Sequence, residues 1–188
     1  MRNENRTFLF ADLVGFTNYT ESAGDEAAAD LATSFCAEAA RLAACHRAET
    51  IKSIGDEVMI CGADPAETVR LGVRIVDELT TILPIRVGMH TGAAVHRAGD
   101  WFGSAVNVAS RVACAAGAGE ILITDATRRT CAALGDIALE PVGPMEFKNV
   151  AGLVDVSAVR SWIADPGAAS GAGRSAAFLQ PALSAVPA

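Results

Sequence analysis

Apolar and polar residues follow one another along the chain with two different periods, which predict strands interleaved with helices. Residues 7–13 form an apolar run without alternation, as expected of a strand buried on both faces. Residues 26–47 are rich in alanine and carry their larger apolar side chains at helical spacing. A second helix is expected to begin at Asp64-Pro65, since proline is favoured in the first helical turn, and to end before Pro84.

The segment between these two helices, residues 51–60, predicts a β-hairpin. Gly55-Asp56 is a tight-turn dipeptide, and apolar residues flank it on both sides. The later elements are predicted from the same two periods and from their turn residues. In chain order they are a strand over 85–95, a polar and aromatic loop over 96–104, a helix over 105–116, a strand over 120–124, a helix over 125–133, and two or three strands over 137–159, broken at Gly143-Pro144 and at Asn149.

The order of these elements predicts the fold class. Strand, helix, hairpin, helix and strand make a β-α-β-β-α-β unit, which is the ferredoxin-like arrangement of an α+β domain, and further strands follow it. From residue 164 onward the sequence turns to Ala, Gly, Ser and Pro and lacks an amphipathic pattern. We therefore expect one domain over residues 1–163 and a disordered tail over residues 164–188.

The composition excludes several functional classes. With 51% hydrophobic and 20% charged residues, the chain of 188 residues has the composition of a globular domain. A formal net charge of −7 argues against electrostatic binding to nucleic acid or to anionic lipid. Apolar runs are too short for membrane insertion. The chain has five cysteines without a C-x-x-C pair, and its polar N-terminus does not resemble a signal peptide. These features favour reduced thiols and a cytoplasmic location.

Two aspartates at strand ends are the first candidates for chemistry. Asp56 alone would be an ordinary turn residue, but Asp12 ends a second buried strand. Carboxylates in such places carry a desolvation cost unless a cation lies between them, and no basic residue stands beside either one in the sequence. The pair therefore predicts a site for a divalent metal, and its hard oxygen ligands suit Mg²⁺ or Mn²⁺.

Four further polar residues each have an ordinary interpretation when taken singly. Asn107 and Arg111 lie four apart on one helix face, which could simply be solvated. Lys52 lies in an apolar strand, from which lysine side chains often reach the solvent. Asp100 precedes a Trp-Phe-Gly turn and could be a loop carboxylate. Their meaning depends on the motifs that contain them.

Three motifs in this order and spacing, FADLVGFT, IKSIGDEVM and GDWFGSAVNVASR, resemble the catalytic domain of the class III nucleotidyl cyclases. The resemblance extends from Thr7 to Val159, and the short GDWFG segment is similar to bacterial subgroups with an abbreviated arm. It implies an adenylate cyclase that converts ATP to 3′,5′-cyclic AMP and pyrophosphate with two divalent cations, Mg²⁺ or Mn²⁺. In relatives specific for guanine, the purine-reading pair resembles Glu and Cys instead. The different residues of this chain at these positions therefore favour ATP.

The resemblance also assigns a role to each motif residue. The positions implied to bind metal are Asp12, Leu13 and Asp56, and those implied to recognise adenine are Lys52 and Asp100. The positions implied to stabilise the transition state are Asn107 and Arg111. The positions implied to bind the phosphates are Gly15, Phe16, Thr17 and Lys148.

Elementary chemistry supports these assignments. Adenine presents N1 as an acceptor and its 6-amino group as a donor, and a lysine with an aspartate supplies the matching donor and acceptor. Guanine inverts that pattern and would leave buried groups unpaired. The backbone turn over residues 13–17 can offer N–H groups to phosphates.

The resemblance finally implies a homodimer, because family sites form between two subunits. The metal-binding residues of one chain would work with the purine-reading and transition-state residues of the other, which gives two equivalent sites. Thr50 departs from relatives that carry an arginine there, near the phosphates. Two alternatives stay open: a catalytically inactive nucleotide-binding or dimerisation module, and a palm-like cyclase that joins two nucleotides. The second lacks support from a Gly-Gly-Asp/Glu-Glu-Phe type of motif.

Overall fold

The computed structural model describes residues 3–131, 135 and 137–162, and these residues build one mixed sheet with helices on both faces. The strands within the described part are β1 (Asn3–Leu13), β2 (Ala48–Ile54), β3 (Glu57–Gly62), β4 (Ile85–Arg97), β5 (Asp100–Phe102), β6 (Ile121–Thr124), β7 (Ile137–Glu146) and β8 (Leu153–Trp162). The helices there are α1 (Phe16–Ala23), α2 (Asp25–Cys45), α3 (Pro65–Leu79), α4 (Ser104–Ala115) and α5 (Asp125–Thr130).

The sheet has the topology that the sequence predicts. Its order is β2-β3-β1-β4-β6-β8-β7, with β5 paired to β4 beside this path. The first four strands of that order are antiparallel neighbours and form the ferredoxin-like unit, whereas β6 pairs parallel to β4. The α+β class and the β-α-β-β-α-β core are thereby confirmed. The predicted tail over residues 164–188 lies outside the described residues.

Strand β1 shows why its sequence does not alternate. Leu9 and Leu13 belong to the larger core, which includes residues of α2 and α3. Phe8 and Phe10 point to the opposite face and pack with residues of α4. Both faces of the strand are therefore buried over residues 8–11, which explains why these four positions are all apolar.

The predicted loop over 96–104 is instead a tight hairpin. Strand β4 continues to Arg97, and β5 pairs back along it with His96 opposite Trp101. The turn residues Ala98 and Gly99 both have positive φ, 53° and 78°, which matches the turns that join two antiparallel strands directly. The loop prediction was wrong because the three-residue strand is too short to show a period.

The predicted break at Gly143-Pro144 was also wrong. Strand β7 runs through both residues to Glu146 and has an irregularity between Pro141 and Gly143. Proline is tolerated there because β7 is an edge strand, whose outer N–H groups have no ladder partner to lose. The break expected at Asn149 does occur, in the turn before β8.

The remaining expectations concern cysteines, the membrane and α5. All five cysteines are unpaired, as the sequence predicts. Within the described residues, no helix combines the length and the apolar character needed to cross a bilayer. Helix α5 ends at Thr130, three residues earlier than predicted, and the rest of the predicted helix lies outside the described residues apart from Cys131.

Candidate active site

The antiparallel pairing of β1 with β3 brings the two candidate metal ligands together. Asp12 lies opposite Glu57 at the end of β1, and Asp56 lies in the turn directly before Glu57. Asp12 is buried, with 9% of its surface exposed. Burial, and after it the charge of Asp12, raises the pKa of the Asp56 carboxyl to about 6. The two carboxylates thus oppose each other in a partly desolvated place, as expected for a cation site.

A basic residue that the sequence did not point to contacts one member of this pair, Asp12. Arg86 lies opposite Asp12 across β1 and β4, and its Nε donates to Asp12 Oδ2 at 2.7 Å. Its Nη2 donates to the same oxygen. The two residues are 74 positions apart, so their neighbourhood in sequence gave no sign of the contact. The only sequence signal was a single charged residue in the otherwise apolar start of β4.

The donor set around Asp12 fits a divalent metal. The pKa of the Glu57 carboxyl is raised, mainly by burial and further by the charges of Asp12 and Asp56. Three acidic residues therefore face one arginine, which leaves an excess of negative charge. Among the described residues there is no group of three or more His, Cys, Asp or Glu side chains arranged to hold a metal. The residues that would hold a cation here are the two aspartates, with the backbone at Leu13 beside them.

The turn after β1 leads into the N-terminus of α1. Gly15 has φ 86° and precedes the first helical residue, Phe16, and no side chain caps this end. Only glycine adopts this backbone conformation without strain. The N–H of Val14 donates to Pro84 O at 2.8 Å, which fixes the turn against the start of β4.

Lys52 and Asp100 meet, although they are 48 positions apart. Lys52 Nζ donates to Asp100 Oδ2 at 2.6 Å, and both side chains are partly exposed. The hydrogen bond from Lys52 is the main cause that lowers the pKa of the Asp100 carboxyl. Strand β2 has an irregularity at Ile51, so that Lys52 pairs with Met59 and shares the face on which α4 packs. The predicted purine-reading pair is therefore assembled within one chain.

Helix α4 presents Asn107 and Arg111 to the solvent while Val108 and Val112 are buried behind them. The helix packs very close to β4, since a Cβ built on Gly88 would lie 2.0 Å from the backbone nitrogen of Ala113. Beside Asn107 is an open cavity of about 470 Å³. Its lining consists of His90, Ser104, Asn107, Val108, Asn149, Val150, Ala151 and Val154.

The cavity brings the turn between β7 and β8 next to α4. Asn149 lines it and has φ 65°, and the preceding residue, Lys148, is exposed. The predicted residues therefore form two groups in the described chain: the aspartates with the turn after β1, and the purine pair with α4 and the turn at Lys148. No side-chain hydrogen bond or ion pair between described residues joins an aspartate of the first group to a residue of the second.

In a comparison with known protein families, residues 1–159 match the family described as the adenylate and guanylate cyclase catalytic domain. The chain belongs to this family. The cyclase family's match includes every residue to which the motifs assign a role, and it confirms the resemblance seen in the sequence. Substrate choice differs among cyclases, and the family alone leaves it open.

Curated cyclases of two bacterial groups are similar to the chain. The pH-sensitive adenylate cyclase MT1302 of Mycobacterium tuberculosis is 40% identical over 169 residues, which are 82% of this chain and 40% of that protein. An adenylate cyclase of Streptomyces griseus is 36% identical over 120 residues, 62% of this chain and 30% of that protein. The chain therefore spans well under half the length of these relatives.

Solved cyclase structures share the fold. The adenylyl cyclase CyaB from P. aeruginosa matches with a TM-score of 0.76 and 25% identity, over 85% of this chain and 95% of that one. The guanylyl cyclase Cya2 matches with a TM-score of 0.75 over 89% of this chain and 96% of that one, at 19% identity. Adenylyl and guanylyl cyclases thus share this architecture, and specificity has to be argued from side chains.

Proposed function

We propose that the chain is the catalytic domain of an adenylate cyclase, which converts ATP to 3′,5′-cyclic AMP and pyrophosphate in a homodimer with two equivalent sites. The observation that carries the proposal is the contact between Lys52 and Asp100. A donor and an acceptor lie 2.6 Å apart on a partly exposed surface, where a base can replace their mutual contact. This pattern suits the acceptor N1 and the donor 6-amino group of adenine.

Guanine would meet the wrong groups at this pair. Its 6-oxo group is an acceptor and its N1–H is a donor, so the ammonium and the carboxylate could each pair only if the base shifted. A polar site that leaves buried groups unpaired rejects the wrong substrate strongly. The pair therefore favours ATP over GTP, in agreement with the adenylate cyclases among the relatives.

Phosphate binding and charge stabilisation are assigned to three groups of residues. The N–H groups of Phe16 and Thr17, after the turn at Gly15, hold phosphate oxygens at the N-terminus of α1. Lys148 reaches the terminal phosphates. Arg111, together with Asn107 on the same helix face, stabilises the charge that develops as the 3′-oxygen bonds to the α-phosphorus and pyrophosphate leaves.

Asp12 and Asp56, with the backbone at Leu13, are the residues that would hold two divalent cations, Mg²⁺ or Mn²⁺. When bound, such cations lower the pKa of the attacking hydroxyl and neutralise charge on the leaving pyrophosphate. Arg86 holds Asp12 in a fixed orientation beside the turn. The aspartates contribute nothing to base recognition, so metal binding and base recognition are tested by different substitutions.

The placement of the two groups of residues supports the proposed homodimer. Asn107 and Arg111 are exposed on α4, and they lack a side-chain contact with either aspartate within the described chain. A second copy would supply the missing group to each site.

Turnover of purified protein tests the proposal. ATP and GTP are each offered with Mg²⁺ or Mn²⁺ over a range of protein concentrations, and the products are separated. We expect cyclic AMP from ATP, with a specific activity that rises with protein concentration as dimers form. Binding of Mn²⁺ and ATP without any product would instead support an inactive nucleotide-binding module, and a dinucleotide product would support the palm-like cyclase.

A further inference from the structure

Strand β5 carries Asp100, one of the two residues proposed to recognise the base, although the strand is very short. It contains three residues, Asp100–Phe102, and among the described strands it pairs only with the end of β4. So short a strand gains little from its own ladder, and its position has to be fixed by side chains. Trp101 is the middle residue and is 6% exposed, whereas Phe102 next to it is 54% exposed. The two neighbouring aromatic residues therefore have opposite environments.

The Trp101 ring is enclosed by side chains from two other strands. Phe8 of β1 meets it edge-on, with ring centroids 5.7 Å apart and an interplanar angle of 64°. His96 of β4 lies against it at 4.9 Å between centroids, tilted by 33°. The guanidinium carbon of Arg6 is 5.7 Å from the ring centroid, within the range of a cation–π contact. These contacts attach β5 to the face of the sheet that α4 covers.

The same residue also fixes the Asp100 carboxylate. The backbone N–H of Trp101 donates to Asp100 Oδ1 at 2.8 Å. Oδ2 is then left to face Lys52 Nζ, at 2.6 Å. One oxygen is thus held by the backbone of the anchored residue, and the orientation of the other follows from it.

We propose that Trp101 is the positioning residue for purine selection: its buried ring fixes β5, and β5 holds Asp100 Oδ2 where it accepts from the amino group of adenine. This rests on the proposed function, in which Lys52 and Asp100 read the base. Trp101 itself does not touch the substrate. Its loss leaves Asp100 present but misplaced, so the enzyme loses selectivity before it loses chemistry.

The first test compares three variants by their ratio of kcat/KM for ATP to kcat/KM for GTP. Trp101→Ala should lower this ratio by about tenfold to a hundredfold, the loss expected when a charge-assisted hydrogen bond is misplaced. Trp101→Phe keeps a ring against Phe8 and should stay within about threefold of wild type. The control, Phe102→Ala, alters the exposed aromatic residue of the same strand and should leave the ratio unchanged.

A second test separates this role from general damage to the fold. Trp101→Ala is mixed with about nine equivalents of Asp12→Ala or Arg111→Ala. The surviving active sites of mixed dimers then outnumber the active sites of Trp101→Ala homodimers by about nine to one. With Asp12→Ala, the surviving site takes its purine pair from the chain with native Trp101 and should regain the native ATP-to-GTP ratio. With Arg111→Ala, the surviving site takes the pair from the Trp101→Ala chain and should keep the lowered ratio.

The outcomes are distinct. A Trp101→Ala protein that melts at a lower temperature but keeps the native ratio overturns the proposal, because the ring then only stabilises the fold. Where the mixture of Asp12→Ala and Arg111→Ala recovers activity, equal ratios in the two Trp101→Ala mixtures overturn it as well. If Trp101→Ala is insoluble, Trp101→Leu replaces it and the same criteria apply. If a mixture of Asp12→Ala and Arg111→Ala recovers no activity, the shared site of the proposed function is contradicted. The role of Trp101 is then tested by the ATP-to-GTP ratios of the homodimeric variants alone.

Discussion

The two carboxylates of the candidate metal site have different surroundings, and this difference matters at the scale of single residues. Asp12 has a guanidinium partner in Arg86, which offsets the cost of burying its charge. Asp56 makes no ion pair with another described residue, and burial together with the charge of Asp12 disfavours its ionised form. Equivalent substitutions at the two positions should therefore affect activity alike and stability differently.

We predict that Asp12→Asn and Asp56→Asn each lower turnover of ATP with Mn²⁺ by at least about a hundredfold, since each removes a ligand of the metal site. Without added metal, Asp56→Asn should raise the melting temperature because it relieves repulsion with Asp12. Asp12→Asn should lower it by about 2–12 °C, because Arg86 loses a partner contributing about 1–3 kcal/mol. Melting curves with EDTA and with Mn²⁺ check this, and equal shifts in both variants would contradict the role given to Arg86.

A second prediction at this scale concerns the purine pair. The double variant Lys52→Glu with Asp100→Cys should depress turnover of ATP by at least about tenfold, since each group left unpaired costs about 1–3 kcal/mol. The melting temperature should change little, because both side chains are partly exposed. Initial rates with ATP and GTP measure the effect. Unchanged turnover of ATP would mean that these residues do not read the base, and full activity on GTP is not required.

At the scale of elements, α4 depends on the absence of a side chain at Gly88. A Cβ at this position would lie 2.0 Å and 2.3 Å from the backbone nitrogen and Cα of Ala113. The neighbouring atoms are backbone and cannot rotate away, so the helix itself would have to move. Since α4 carries Asn107 and Arg111, its distance from the sheet determines where both side chains lie.

We therefore predict that Gly88→Ala lowers both stability and turnover. Overpacking of about 1–3 kcal/mol corresponds to a loss of about 2–12 °C in melting temperature for a domain of this size. Gly117→Ala is the matched control, because its Cβ would meet only the flexible end of Glu120, at 3.5 Å. Thermal unfolding and cyclic AMP formation are measured for both. A Gly88→Ala protein as stable and active as wild type would show that α4 is not held this closely.

At the scale of the whole molecule, the proposed dimer separates residues that are close in sequence. Lys52 and Asp56 lie in one hairpin, yet the proposal assigns them to two different active sites. The consequence is testable, since lesions in different groups of residues can compensate each other between subunits whereas lesions in the same group cannot.

We predict that Asp12→Ala and Arg111→Ala are each nearly inactive as homodimers and recover activity when mixed. With equal, random exchange, half of the dimers are mixed and each has one intact site, so activity should reach roughly a quarter of wild type. Exchange is shown independently with differently tagged chains. If the chains exchange and activity stays at background, each site lies within one chain and the intersubunit arrangement is wrong.

The sequence by itself determined the order of the elements in the β-α-β-β-α-β core, the fold class and the motif residues, because hydrophobic period, turn dipeptides and motif spacing are local properties of the chain. Only the tertiary structure decided that Arg86 binds Asp12, that Lys52 meets Asp100, and that the Trp101 ring anchors β5. These contacts join residues far apart in sequence, and they depend on strand register, on the irregularity at Ile51 and on a strand of three residues. Register is fixed by how whole strands pack, which no local pattern in the sequence records.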